Sequence, residues 1–137
     1  MKEDLRLRTK KFALRIIRMF TALPRNDVAR VLGKQVLRSG TSVGANYREA
    51  YRARSSSEFI SKLGDCLKEL EETAYWLELL EESGTVPARK MAALLQEANE
   101  LLAIFTASSK TAKSRASERK DPRPFTSFPS VKALSVA

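Results

Sequence analysis

The sequence contains no histidine and only one cysteine, Cys66. Histidine is the commonest general base and metal ligand near neutral pH, so its absence argues against most enzyme classes. The P-loop, the dinucleotide fingerprint, Cys/His clusters and Ser-His-acid sets are missing as well. We therefore predict a protein that is not an enzyme, with no catalytic residues, no metal and no cofactor. A lone thiol cannot form an internal disulfide, so we expect Cys66 to be a small buried residue in a reducing cytoplasm.

Glycine, proline and aromatic residues are also scarce, with five glycines, five prolines and 7% aromatics in 137 residues. The longest apolar runs are far shorter than a membrane-spanning helix, and no hydrophobic leader opens the chain, so we expect no membrane association. Leu, Ala, Glu, Lys and Arg recur at helical spacing, which is typical of an all-helical domain. The 43% of hydrophobic residues is enough for one core.

The first two helices are indicated by apolar periodicity and by their boundaries. The first is predicted from about Glu3 to Ala22, because Pro24 ends the pattern. Asn26 is a good N-cap, and a second helix should continue from it to about Ala53.

The third helix has the clearest start, because Ser55 and Glu58 form a capping box. Its apolar face should extend to Ser83-Gly84, which is a typical stop. Pro87 suits the first turn of a fourth helix, which we predict to end near Lys113.

Four helices with short connections predict an all-α, antiparallel up-down-up-down four-helix bundle, because short loops force neighbouring helices to run in opposite directions. We assign this domain to residues 1–113. Residues 114–137 are rich in Ser, Lys, Arg and Pro and lack helical periodicity, which predicts a flexible basic tail. An arm that docks on a partner or contacts a polyanion is the alternative.

A row of small and polar residues is the most unusual feature of the second helix. Glycine inside a helix costs about 1 kcal/mol relative to alanine, so close approach of another backbone must compensate for it. Asn46 resembles the single buried amide that fixes register or oligomeric state in coiled coils, although a direct ligand contact is the alternative. The predicted packing or oligomer seam consists of Ser39, Gly40, Ser42, Gly44 and Asn46.

Five cations of the second helix advance in steps that keep them within an arc of about 80°. We call them the cationic stripe: Arg30, Lys34, Arg38, Arg48 and Arg52. Guanidinium groups present a planar fork of donors that suits phosphate, so the stripe could follow a nucleic-acid backbone without reading its sequence. Tyr47 and Tyr51 flank it and could stack on unpaired bases, or they could simply pack in the core or in an interface.

The alternative for the cationic stripe is a solvated face paired with acids of the third helix. Residues 1–56 contain 14 Lys and Arg against 4 Asp and Glu, whereas residues 57–82 contain 2 against 8. The net charge of +9 favours a polyanionic partner. The segregation of charge could equally direct the packing of helices or subunits. The basic residues of the first helix are expected to form an accessory surface.

Three stretches of the chain together resemble a known family. They are Gln35-x-x-Arg38-Ser39-x-Thr41-Ser42-Val43-x-Ala45-Asn46-x-x-Glu49-Ala50, Ser57-Glu58-Phe59-x-x-Lys62-Leu63 and Glu69-x-x-Glu72-x-x-x-Trp76-Leu77. They resemble the bacterial four-helix-bundle family that includes proteins encoded by intervening sequences within 23S ribosomal RNA genes. Its relatives include the accessory variability protein of diversity-generating retroelements. The resemblance covers about residues 5–112.

The resemblance implies a homopentamer that forms a ring with a positively charged surface, suited to nucleic acid and, in the retroelement relatives, to a reverse transcriptase. Arg38, Ser39, Ser42 and Asn46 match the family motif directly. The resulting prediction is a cytoplasmic, oligomeric protein that binds nucleic acid, and RNA in particular, through phosphate contacts. A homo-oligomeric interaction scaffold with an acidic protein partner is the alternative.

Overall fold

A computed structural model describes residues 4–118 of the chain. These residues form four α-helices, namely α1 (Leu5–Thr21), α2 (Asp27–Tyr51), α3 (Ser56–Glu82) and α4 (Ala88–Glu118). Each helix packs mainly against its neighbour in sequence, and α1 also touches α4 over a smaller area. The prediction of an all-α four-helix bundle is confirmed. Assembly of several copies into a ring stays a prediction.

Capping side chains define where the first three helices begin. The Asp4 carboxylate accepts a hydrogen bond from the Arg6 backbone N–H at 2.7 Å. Asn26 caps α2 by accepting from the Ala29 N–H at 2.9 Å, and Ser55 caps α3 by accepting from the Glu58 N–H at 3.1 Å. These two hydrogen bonds confirm the predicted starts of α2 and α3. Both starts could be predicted because a side chain that accepts from an unpaired N–H of the first turn is a strong local signal in the sequence.

The fourth helix is longer than its sequence pattern predicts. Gly84, whose φ of 79° suits a glycine, follows the end of α3. From Ala88, α4 continues to Glu118, five residues beyond the predicted end at Lys113. Ala112 is buried and Arg115 is half-buried, so packing against the bundle supports these last turns. The rest of the predicted tail, residues 119–137, lies outside the described residues.

The core contains large side chains from all four helices. The rings of Tyr47 and Phe105 meet edge to face, with 5.5 Å between their centroids. Cys66 is fully buried, as predicted, and this burial raises the pKa of its thiol to about 12. The largest fully buried side chains include Phe12, Ile16, Tyr47, Leu63, Leu70, Leu77, Met91, Leu101 and Phe105.

Helix α2 lies between α1 and α3, and glycines allow it to approach α1 closely. A Cβ atom added to Gly40 would lie 2.8 Å from Cγ1 of Ile16, and one added to Gly44 would lie 3.3 Å from Oγ1 of Thr9. On the other side, α2 meets α3 through a hydrogen bond between the buried hydroxyls of Ser39 and Thr73 at 2.8 Å. The inner faces of α2 are thus occupied, and its third face is left at the surface.

One charged cluster joins α1 to α4. Arg8 donates from Nε and Nη2 to the Glu97 carboxylate at 2.9 and 2.8 Å, and from Nη2 to Glu100 at 2.8 Å. The bonds from Gln96 and then from Arg8 lower the pKa of Glu100. The bidentate pair of Arg8 and Glu97 links α1 to α4, which contact each other less extensively than helices adjacent in sequence do.

Between residues 4 and 118, no helix combines the length and the apolar character that crossing a membrane requires.

Candidate nucleic-acid interface

The outward face of α2 carries the cationic stripe. Val36, Val43 and Ala50 are buried on the inner side of the helix, and this fixes its rotation. All five members of the stripe are exposed, namely Arg30, Lys34, Arg38, Arg48 and Arg52. Four of the five lie within α2, and Arg52 is the residue that follows its last turn. Their interaction partners divide the five into two groups.

Arg38 is engaged by acids of α3. It donates to the Glu69 carboxylate at 3.1 Å and to that of Glu72 at 3.0 Å, while its side chain remains 52% exposed. Arg30 pairs with Asp27 at 2.9 Å in the first turn of α2. The charges of these two members of the cationic stripe are therefore partly offset within the protomer. For Arg38, this agrees with the alternative prediction that the stripe pairs with acids of the third helix.

The positive charges of the other three members are not offset by a neighbouring carboxylate. Lys34, Arg48 and Arg52 form no ion pair with any residue between 4 and 118. Exposed cations without a carboxylate partner attract anions from solution, because no internal charge offsets their field. The anion-binding capacity of the stripe is thus greatest toward the C-terminal end of α2, where two of the three lie.

A groove of about 590 Å³ extends this surface onto α1. It lies between the start of α1 and the end of α2, and we call it the α1–α2 groove. Four cationic side chains and one carboxylate line it, which gives a net formal charge of +3. The lining residues are Asp4, Arg6, Leu7, Lys10, Arg48, Tyr51 and Arg52.

Arg6 is held in a fixed place in the groove. Its Nη2 donates to the Asp4 carboxylate at 2.9 Å, and its guanidinium carbon lies 3.9 Å from the centre of the Tyr51 ring. The side chain of Arg6, and then its backbone N–H, lower the pKa of Asp4 by donating hydrogen bonds to that carboxylate. Asp4 thus stays ionised and ties the start of α1 to the end of α2 through Arg6.

The two tyrosines that flank the cationic stripe differ in their surroundings. Tyr47 is fully buried, and burial raises the pKa of its hydroxyl. The packing alternative therefore applies to Tyr47, which cannot stack on a base. Tyr51 is 43% exposed and faces the groove. Of the two tyrosines, only Tyr51 is accessible for stacking on a base.

The residues of the predicted seam point in different directions within the protomer. Gly40 and Gly44 face α1, whereas Ser39 faces α3. The Ser42 hydroxyl donates to the Arg38 carbonyl at 2.6 Å. Asn46 is only half-buried in the protomer, which differs from the buried amide that its position suggests. A role for these residues between copies of the chain stays a prediction.

The sequence missed the α1–α2 groove as a site. Arg6 and Lys10 stood out only as members of an accessory basic surface, because the basic residues of α1 lie on several faces. A usable signal was the four-residue spacing of Arg6 and Lys10, which places both on one side of α1. In the described part of the chain, no three Cys, Asp or Glu side chains are grouped so that they could hold a metal ion.

Comparisons with known proteins agree with the fold. Residues 3–107 match the model of a family described as 23S rRNA-intervening sequence protein. Among solved structures, the chain is similar to a crystal structure of a protein with unknown function from the S23 ribosomal protein family of Bacteroides thetaiotaomicron. The sequences are 37% identical over 77% of this chain and 94% of that one, with a TM-score of 0.72. No curated protein sequence matches at a significant level.

Proposed function

The chain belongs to the 23S rRNA-intervening sequence protein family, and we propose from this that it is a non-enzymatic RNA-binding protein of the cytoplasm. The binding surface is the C-terminal half of the cationic stripe together with the adjacent part of α1. The observation that carries the proposal is the exposure of Arg48 and Arg52 at the C-terminal end of α2, where neither forms an ion pair with any residue of the described chain.

The mechanism is contact with phosphates rather than with base identity. Lys34 and Arg48 lie about 21 Å apart along α2, at 1.5 Å per residue, and Arg52 caps the same helix one turn after Arg48. Each guanidinium can donate two parallel hydrogen bonds to a phosphate and release condensed counterions from the RNA. Such contacts give affinity and orientation without sequence information.

The members of the cationic stripe differ in how available their side chains are to RNA. Arg38 already donates to Glu69 and Glu72, so RNA has to compete with two carboxylates for its guanidinium. Reversal of the charge of Arg38 would also place a third acid beside that pair and disturb the packing of α2 on α3. Arg48 and Arg52 offer the cleaner test, because neither has an internal partner within residues 4–118.

The experiment compares Arg48→Glu/Arg52→Glu with the wild type in RNA-binding titrations at several salt concentrations. We expect affinity to fall about tenfold or more at 0.1 M salt, and the slope of log K against log salt to decrease by about 1.5. The control is Arg89→Glu/Lys90→Glu, which changes the net charge equally at the start of α4. Those residues lie at the opposite end of the bundle, so their effect should be within about twofold.

Two results would contradict the proposal. One is equal affinity and equal salt slope for the wild type and the double variant, with helical circular dichroism unchanged in both. The other is a pull-down in which the partner is an acidic protein that remains bound after nuclease treatment. That second result would support the alternative of an interaction scaffold, because the same unpaired cations can bind carboxylates.

A further inference from the structure

The α1–α2 groove combines two features that phosphate binding alone does not require. Tyr51, an aromatic residue that is 43% exposed, lies among cations. Leu7 adds an apolar wall beside it and is itself exposed. Phosphate binding does not require an exposed aromatic ring, and exposing the apolar surface of such a ring to water is unfavourable. The composition of the groove instead suits a ligand with both an apolar flat part and a negative charge.

The Tyr51 ring is held in place before any ligand arrives. The Arg6 guanidinium lies over one face of the ring at 3.9 Å, and Asp4 in turn holds Arg6 through its carboxylate. A ring that is already oriented loses little conformational entropy when a base stacks on it. The carboxylate of Asp4 is occupied by Arg6, so its negative charge is largely offset within the groove.

The remaining cations of the groove are free to hold phosphates. Lys10, Arg48 and Arg52 form no ion pair with residues 4–118. Arg48 precedes Tyr51 by three residues, so it lies on the neighbouring turn of α2, and Arg52 follows Tyr51 directly. Lys10 approaches from α1, on the opposite wall. The three cations therefore line the same groove as the Tyr51 ring, where they could hold the phosphates of a nucleotide whose base stacks on that ring.

We propose that the α1–α2 groove binds one unpaired nucleotide of single-stranded RNA, with its base stacked on Tyr51 and its phosphates held by Lys10, Arg48 and Arg52. This inference rests on the proposed function and specifies its ligand. A groove of about 590 Å³ is in the size range of small-ligand sites. Bases inside a duplex are stacked on each other and cannot reach Tyr51, so the groove selects single strands or unpaired ends.

The test measures binding of a single-stranded RNA and of a blunt duplex of equal length by fluorescence anisotropy. Tyr51→Leu should weaken binding of the single strand about 5- to 100-fold, because stacking of one base on an aromatic side chain is lost. Binding of the duplex should change by less than about twofold. Tyr51→Phe should bind both RNAs as the wild type does, because phenylalanine keeps the stacking face.

A second exposed tyrosine supplies the matched control. Tyr75 on α3 is 53% exposed and lies outside the groove. Tyr75→Leu should leave single-strand binding within about twofold of the wild type. A photo-crosslink from 4-thiouridine in the single strand should map to the peptide that contains Tyr51 in the wild type.

The outcomes separate this inference from the proposed function. Unchanged binding of the single strand by Tyr51→Leu overturns the stacking site and leaves the phosphate surface intact. Equal weakening of single-strand and duplex binding by Tyr51→Leu also overturns it, because the ring would then act only by holding Arg6. A wild-type protein that binds neither RNA overturns both proposals.

Discussion

Two glycines inside the helices of this bundle, Gly40 and Gly64, have the same helix propensity but differ in how tightly other residues pack against them. Three atoms of Ile16 lie within 3.2 Å of the position where Gly40 would carry a Cβ atom. Around Gly64, in the interior of α3, nothing lies within 4 Å of the corresponding position. Gly40 is therefore required by the contact between α1 and α2, whereas Gly64 only lowers the stability of its own helix.

The variants Gly40→Ala and Gly64→Ala should shift stability in opposite directions. At Gly40 the new methyl group displaces the stiff, fully buried side chain of Ile16, which should cost about 1 to 2 kcal/mol after the gain in helix propensity is subtracted. At Gly64 the same change should stabilise the protein by about 0.5 to 1 kcal/mol. Urea unfolding measures both, and a gain in stability from Gly40→Ala would contradict the packing described for α1 and α2.

At the scale of the helices, the starts marked by a capping residue could be predicted from the sequence. The end of α4, which no capping or stop residue marks, could not. Asn26 and Ser55 cap their helices as their side chains indicate. The end of α4 was set at Lys113 because apolar periodicity fades there, but alanine, lysine, arginine and glutamate continue a helix without a stop signal. The serines and the arginine of residues 114–118 therefore looked like the start of a tail, although the segment is helical.

The same limit explains how much of the candidate site could be predicted. The cationic stripe follows from the geometry of one helix, so its five members could be placed on one face from their spacing alone. The engagement of Arg38 by Glu69 and Glu72 depends on the register between α2 and α3. The α1–α2 groove brings together Arg6 and Tyr51, which are far apart in sequence, and no periodicity within a single helix reveals such a meeting.

The cluster that joins α1 to α4 should be measurable as a contribution to stability. Arg8→Gln removes a bidentate ion pair and leaves the largely buried carboxylate of Glu97 without its cation. We expect a loss of about 1 to 2 kcal/mol in the free energy of unfolding at neutral pH, reduced by high salt.

The matched control is Arg18→Gln on the exposed side of the same helix, which has no ion pair to residues 4–118 and should change stability by about 0.5 kcal/mol or less. Equal effects of the two substitutions would show that the Arg8 cluster contributes nothing beyond an ordinary surface arginine.

At the scale of the whole molecule, α1 has an outer face that the protomer does not cover. Leu14 and Ile17 are exposed there, three residues apart and outside the lining of the α1–α2 groove. Apolar side chains in a row on a helix are typical of association surfaces. This face is therefore where we propose that copies of the chain associate, and the family resemblance implies a pentamer.

The variant Leu14→Asp/Ile17→Asp should lower the solution mass measured by light scattering. The wild type is expected near five times the chain mass of 15.4 kDa, and the variant at a smaller multiple, because burying a carboxylate in an apolar interface is unfavourable. Ala92→Asp/Ala93→Asp adds the same charge to the exposed face of α4 and should leave the mass unchanged. A wild-type mass equal to that of a single chain would contradict the predicted assembly.

Burial of Cys66 makes the molecule convenient for site-directed labelling. Maleimide dyes react with thiolates in contact with water, and a thiol that is fully enclosed, with a pKa of about 12, presents neither the anion nor the access. A cysteine introduced at Lys34 would then take up the fluorophore alone, without prior removal of the native one. Energy transfer from that dye to a labelled oligonucleotide could report the path of the strand along α2.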